Sequence, residues 1–177
     1  MKLLKLTLTL ADAHMPIWRE IIVPSTISLH KLHRVFQTVM GWQDYHLHEF
    51  TIDGVRYGVV DDDFPDGTVS EKYKKLFNVL GGSAELSYLY DFGDGWEHSV
   101  IVSLYEGPVI PVKSGWCIGG ENACPPEDCG GVGGYEYFLS VLDDPLHEEY
   151  DDVSRWMGRF DARYFDLESV NKALFSL

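Results

Sequence analysis

The chain has little that is basic. Its 177 residues carry 14 Lys and Arg against 28 Asp and Glu, a formal net charge of −14. Sequence-independent grip on duplex DNA comes from cations that neutralise phosphates. The balance therefore predicts no duplex-DNA partner, a small local basic patch aside. Long apolar runs are also missing. None approaches the roughly 18 consecutive apolar residues of a membrane helix, so no membrane partner is expected. The opening Met1-Lys2-Leu3-Leu4-Lys5 leads straight into an alternating pattern. It has no apolar leader stretch followed by a small-residue cleavage site, which predicts a cytoplasmic protein. Cysteine is scarce and odd in number: Cys117, Cys124 and Cys129 are the only three. That excludes a framework of bridges, and in a reducing compartment such residues are thiols or metal ligands. Internal repeats, low-complexity tracts and linkers are absent, so residues 1–177 are expected to form one domain.

What the chain does have is core material. Apolar residues make up 45% and aromatics 14%, enough for a core that folds without a staple. Leu4, Leu6, Leu8 and Leu10 alternate with polar residues, the pattern of a half-buried strand. A second strand runs over Ile17–Val23 and is closed by Pro24. Ser28 is placed to cap a helix whose apolar stripe is Leu29, Leu32, Val35, Phe36, Val39 and Met40, with Gly41 as the stop. Asp53-Gly54 between His48–Ile52 and Val55–Val59 predicts a two-residue hairpin. The run Asp61–Gly67 reads as an acidic loop; it is out of register for an EF-hand, whose twelfth position here is Tyr73. Ser70 is expected to cap a short helix with Tyr73, Leu76, Phe77 and Leu80 inward. Two strands, Ala84–Tyr90 and Trp96–Leu104, flank the turn Asp91–Gly95. Lys113–Gly134 is read as a long connection, Tyr135–Leu142 and Pro145–Met157 as helices, and Asp166 as the cap of a last helix. Hairpins lead and helices collect towards the C-terminus, which predicts an α+β fold on a mainly antiparallel sheet.

Two runs are denser in chemistry than plain loops need. One is Tyr90-Asp91-Phe92-Gly93-Asp94-Gly95-Trp96-Glu97-His98; the other, within Cys117–Tyr135, contains Ala123-Cys124-Pro125-Pro126-Glu127-Asp128-Cys129-Gly130-Gly131. The cysteines form a C-x6-C-x4-C array. Three thiolates plus His98, or His33, His46 or His48, make a closed zinc site conceivable. The tight C-x2-C knuckle is missing, and the plainer reading is free thiols in a buried loop. As nucleophiles the cysteines are poorly served, because Glu127 and Asp128 beside them raise a thiol pKa. His46-x-His48 read as a strand puts both imidazoles on one face. With Asp44, Asp91, Asp94 and His98 they could hold a divalent cation; the plainer reading makes His48 and Asp44 satisfied polar groups. His33, on the apolar side of its helix, reads as a hydrogen-bonded core histidine. Asp91-Phe92-Gly93 spells the magnesium-binding string of protein kinases, but no other kinase element is present. The turn is better explained as scaffold: Asp91 and Asp94 accept backbone N–H groups, Gly93 and Gly95 take positive φ, and Trp96 packs beneath. Gly130–Gly134 could cradle an anion, but its carboxylate neighbours repel one.

These runs also carry a resemblance, together with Met15-Pro16-Ile17-Trp18-Arg19, Leu32-His33, Gly41–Phe50, Arg155-Trp156-Met157-Gly158, Phe160-Asp161 and Phe165-Asp166. The chain resembles the plasmid Ri open-reading-frame-three-like family from about Leu3 to the C-terminus. The resemblance implies association with mobile elements and the labels transposon-passenger or resolvase-like. It implies no mechanism. Met15 stands where the family usually has a second proline. A serine recombinase needs a nucleophilic Ser amid several Arg residues and a basic tail, and this acidic chain supplies neither.

The expected active surface is a cleft where the Asp91–His98 turn meets the Cys117–Tyr135 loop, with Trp42–His48 alongside. The candidate binding residues are Asp44, His46, His48, Asp91, Asp94, Trp96, His98, Glu127 and Asp128. The candidate zinc ligands are Cys117, Cys124 and Cys129. The favoured function is a binding or interaction module for a small ligand or protein partner, because no complete catalytic set is present. The alternative is a metal-dependent, hydrolase-like enzyme using Cys or His with the carboxylates of the same cleft.

Overall fold

A computed structural model describes residues 2–61, 63, 65–110 and 112–177. Much of the proposed acidic loop is included, but Asp62 and Phe64 lie outside the described residues. Eight strands form one sheet in the order β5-β4-β3-β6-β7-β1-β2-β8. They are β1 (Leu3–Leu10), β2 (Trp18–Pro24), β3 (His48–Ile52), β4 (Val55–Gly58), β5 (Val69–Ser70), β6 (Glu85–Tyr90), β7 (Trp96–Leu104) and β8 (Trp116–Glu121). All pairings are antiparallel except β4 with β5. Five helices accompany them: α1 (Leu29–Met40), α2 (Leu76–Leu80), α3 (Gly131–Leu142), α4 (Tyr150–Met157) and α5 (Leu167–Phe175). The α+β class and the mainly antiparallel sheet are as the sequence predicts, with three of the helices following the last strand.

The strand periodicity does what period-2 patterning requires. Along β1, Leu4, Leu6, Leu8 and Leu10 are buried while the residues between them stay partly exposed. In β7, Trp96, His98, Val100 and Val102 face inward and Glu97, Ser99 and Ile101 face solvent. Helix α1 covers the inward face. The Ser28 hydroxyl accepts the Lys31 N–H, Gly41 closes the helix in the left-handed region at φ 86°, and its whole predicted stripe is buried. Helix α5 packs against α1 and β8, capped as expected by Asp166 accepting the Ser169 N–H. The Asn171 side chain accepts the Cys117 N–H and donates to the Cys117 carbonyl, both at 2.8 Å.

Four local expectations are corrected. The long connection Lys113–Gly134 contains a strand, β8, whose pairing with β2 shifts register between Glu20 and Ile21. Ser70 ends strand β5 instead of capping a helix, and α2 starts only at Leu76. Tyr73 and Phe77 are consequently 81% and 55% exposed. Trp156, expected like Trp18, Trp42 and Trp96 to be mostly buried, is 50% exposed. Gly93 does not take positive φ; Asp91 does, at 56°.

Candidate functional site

Three segments distant in sequence meet beside the β3–β6–β7 end of the sheet: the α1–β3 connection, the β6–β7 turn and the β8–α3 loop. Hydrogen bonds lace them together. Trp42 Nε1 donates to the Pro125 carbonyl and the Gln43 N–H to Glu127 Oε2, each at 3.0 Å. The Asp91 N–H donates to the Leu47 carbonyl at 2.9 Å. The Gly130 N–H donates to Asp94 Oδ2 at 3.1 Å. This last junction demands glycine next door. Gly131 has φ +70°, and a Cβ there would lie 2.3 Å from the Asp94 carbonyl oxygen. The long loop thus docks on the turn, as a connection of that length requires.

The turn is a scaffold built around Asp91. Its Oδ1 accepts the Gly93 N–H at 2.9 Å and faces the Asp94 N–H at 3.4 Å, and its carbonyl accepts the Gly95 N–H. Trp96 is wholly buried beneath it, with Trp42 tilted against its ring. Oδ1 being committed, Oδ2 of Asp91 is aimed at His46, 3.6 Å from Nε2. Asp128 Oδ1 lies 3.1 Å from the same nitrogen. Despite that proximity, the alignment makes no hydrogen bond, and the buried His46 Nε2 has no hydrogen-bonding partner. Asp44, Asp91 and Asp128 all hold left-handed backbone, at φ 61°, 56° and 58°. Asp tolerates that region better than most residues, and Asp12, Asp53 and Asn122 hold it elsewhere in the chain.

The other proposed residues have separate roles. Both Glu127 oxygens are engaged, Oε1 by the Tyr90 hydroxyl and Oε2 by Gln43. Burial, then this carboxylate, push the Tyr90 phenol up. His48 does not share a face with His46, because His46 precedes the strand in a bend while His48 opens β3. His48 instead points into the core, stacked on His33 with ring centroids 3.4 Å apart, and its Nε2 meets Glu71 Oε2 at 2.9 Å. His33, read as a hydrogen-bonded core histidine, is one: it joins the Tyr88 hydroxyl at 2.8 Å and Asp44 at 2.7 Å. Gln37 donates to that hydroxyl and accepts the Asp44 N–H. Burial, with His48 alongside, lowers the His33 pKa to about 4. His98 is fully buried against the Tyr88 carbonyl, and burial takes it to about 4 as well. Its Nε2 has no hydrogen-bonding partner, and among the described residues it joins no ligand set.

The cysteines are all free and buried. Among the described residues, the group of three His, Cys, Asp or Glu donor atoms lying within 4.8 Å of one another is His46, Asp91 and Asp128. It contains no cysteine, so the structure does not assemble the three-thiolate arrangement with His98. Burial raises all three thiols, Cys129 to about 12, which suits inert core residues and not nucleophiles. Arg19, 2% exposed, lies near Cys124 and Cys117; its guanidinium donates to the carbonyls of Trp18, Val39, Glu121 and Asn122 and stacks on Phe165.

Tyr88, Gln37 and Glu71 are not among the site residues that the sequence points to, and Tyr90 enters only as the first residue of a dense run. The tyrosines were legible as inward positions of an alternating strand. Glu71 was hidden by the misplaced helix start.

The chain belongs to the plasmid pRiA4b ORF-3-like family. Residues 2–169 match the family's pattern. The chain is 35% identical over 177 residues to the uncharacterized protein y4hQ of Sinorhizobium fredii (strain NBRC 101917 / NGR234), covering 98% of this chain and 91% of that protein. It is also similar to the crystal structure of MM3350, a protein of unknown function from Methanosarcina mazei Go1. There the identity is 39% and the TM-score 0.82, over 94% of this chain and 96% of that one. The family and fold resemblance read from the motifs therefore stands. No helix among the described residues is long and apolar enough to cross a membrane.

Proposed function

We propose that this family member is a binding module that takes a ligand at the junction of the α1–β3 connection, the β6–β7 turn and the β8–α3 loop. The observation that carries the reading is the rim. Tyr45, Leu47 and Phe92 are 70%, 57% and 56% exposed, and they flank His46 and Asp91 in sequence. Large apolar side chains held in water around buried polar groups favour an interaction site over a plain surface. Leu47 and Phe92 also line a pocket of about 240 Å3 that reaches Glu49, Arg56 and Thr68. Arg56 is already paired with Glu49 and Asp66, so the pocket suits a neutral or amphipathic group better than a second anion. A larger apolar groove of about 600 Å3, between Trp116, Leu167 and Phe175 on α5, has only the Glu168–Lys172 pair for charge and none of the convergent polar groups that fix a ligand. The three unpaired thiols favour a reducing, cytoplasmic setting.

A fragment library screened by protein-observed NMR tests the reading. Hits should perturb Tyr45, Leu47 and Phe92 and weaken severalfold in Phe92→Ala. Hits confined to the Trp116–Phe175 groove would overturn it.

A second reading, a metal-dependent hydrolase at the same cleft, is favoured by one observation: His46 faces two carboxylates. It receives nothing from the cysteines.

A further inference from the structure

We infer that His46 Nε2, Asp91 Oδ2 and Asp128 Oδ1 form an open centre for one divalent transition cation of the zinc and manganese class. The inference uses the same junction as the binding reading but does not depend on the apolar rim.

Separation is the first ground. A cation held at about 2.1 Å sets neighbouring donors about 3.0 Å apart in an octahedral shell and about 3.4 Å apart in a tetrahedral one. The imidazole nitrogen is 3.1 Å from one carboxylate oxygen and 3.6 Å from the other, and all three donor atoms lie within 4.8 Å of one another. Alignment is the second. An imidazolium clasped by two carboxylates should point its N–H along a hydrogen bond to one of them. Here the buried Nε2 makes none, the arrangement expected when the nitrogen lone pair and both oxygens face a common point between them.

Elimination is the third ground. The neighbouring acids are already engaged: Glu127 by Tyr90 and Gln43, Asp94 by Gly130, and Asp44 by His33. Asp91 has committed Oδ1 to the turn, and its side chain, 10% exposed, is left with Oδ2 aimed at His46. Removing a carboxylate this far from water needs a compensating partner, and a cation supplies one to Asp91 Oδ2.

The donor set selects the ion. One imidazole favours zinc or iron(II) over magnesium, the two carboxylates also admit manganese, and calcium needs six to eight oxygens. Three protein ligands, with Asp128 70% exposed on the outer side, leave positions for water or a ligand donor. Structural zinc sites are closed by four protein ligands. The centre is therefore a docking point for an exogenous oxygen or nitrogen donor and not a staple of the fold.

Calorimetric titration of Zn2+ into the chelator-stripped full-length chain, followed by NMR of the histidine ring nitrogens, tests this. One Zn2+ per chain is expected, with the His46 Nε2 resonance shifting and those of His33, His48 and His98 staying in place. His46→Ala and Asp128→Asn should each weaken binding tenfold or more, and Asp91→Asn, which keeps an acceptor for the turn, should do the same. Cys124→Ser and Cys129→Ser should leave affinity within about twofold, and chelation should leave the circular dichroism unchanged. No uptake at millimolar Zn2+, uptake that survives His46→Ala in a protein with wild-type circular dichroism, or a shift at another histidine alone would overturn the proposal. If zinc fails to bind while fragments still perturb Tyr45, Leu47 and Phe92, the cation centre is wrong and the binding reading stands. Zinc bound at His46 with no fragment at the rim separates the two the other way.

Discussion

Two groups of histidines and carboxylates, one around His48 and one around His46 two positions before it, differ in nearly every respect. In the core, His33 and His48 stack and share out Asp44, Glu71, Tyr88 and Gln37 so that nearly every polar atom has a partner. At the surface, His46 meets Asp91 and Asp128 without one completed hydrogen bond. The residue types are the same. A network that closes on itself fixes a fold, because each member would be costly to leave unpaired. A cluster that stops short of closing has bonding capacity to offer something else. Composition does not separate the two cases; completion does.

The contrast is most easily broken by deleting one histidine from each group. His48→Ala leaves the Glu71 carboxylate, 4% exposed, with only His30 at 3.3 Å and strips His33 of its stacking partner. Breaking a buried pair in this way costs about 3–5 kcal/mol, readable as a lower urea midpoint at unchanged slope. A loss below 1 kcal/mol would show that the core network is not what holds α1 to the sheet.

Acid probes the same network with a somewhat smaller effect. The folded chain holds His33 and His98 at about 4, below their ordinary 6.5. Between those values the unfolded chain takes up protons that the folded chain refuses. Stability is therefore full above about pH 6.5 and falls as pH drops towards 4, at up to about 1.4 kcal/mol per pH unit for each histidine. Glu71 adds to the same trend. Burial alone would raise it, but bonding to His48 prevails and its pKa is depressed, so its contribution is present above the unfolded carboxyl value and lost as pH falls further. Urea unfolding at pH 7.5 and 5.0 should differ by about 2 kcal/mol or more; equal stability would contradict the burial of both rings.

The smallest effect sharpens the comparison from the other side. His46→Ala removes a ring, 29% exposed, that packs edge-on against Tyr90 and whose Nε2 has no hydrogen bond to lose. Its thermal unfolding should stay within about 1 kcal/mol of wild type. A larger loss would place His46 in the scaffold with His48.

The sequence exposed these two groups unequally. The strands β1, β3, β6 and β7 were legible because one face of each is buried, and period-2 burial writes itself into the residues. Strand β8 was not, since Gly119 and Gly120 interrupt its pattern and a register shift in its pairing removes the regularity. At the site, His46, Asp91 and Asp128 were all singled out, but so were residues that turn out to serve elsewhere. Their grouping depends on three segments up to 82 positions apart being brought together, and spacing along the chain carries no record of that. The cysteine array is the converse case: its spacing is local and conspicuous, yet the plainer reading of free, buried thiols is what the fold shows, and the described three-donor cluster contains none of them.

The two rims of the sheet complete the picture. An unpaired strand edge invites a second chain to add its own strand, and proteins blunt such edges to stay apart. At one rim the last strand, β5, is only two residues long and offers almost no template. At the other, β8 spans six residues, but the Asn171 carboxamide occupies the Cys117 N–H and carbonyl as a neighbouring strand would. One side chain on a C-terminal helix thus takes up, at Cys117, the pair of edge groups that a ninth strand would otherwise use.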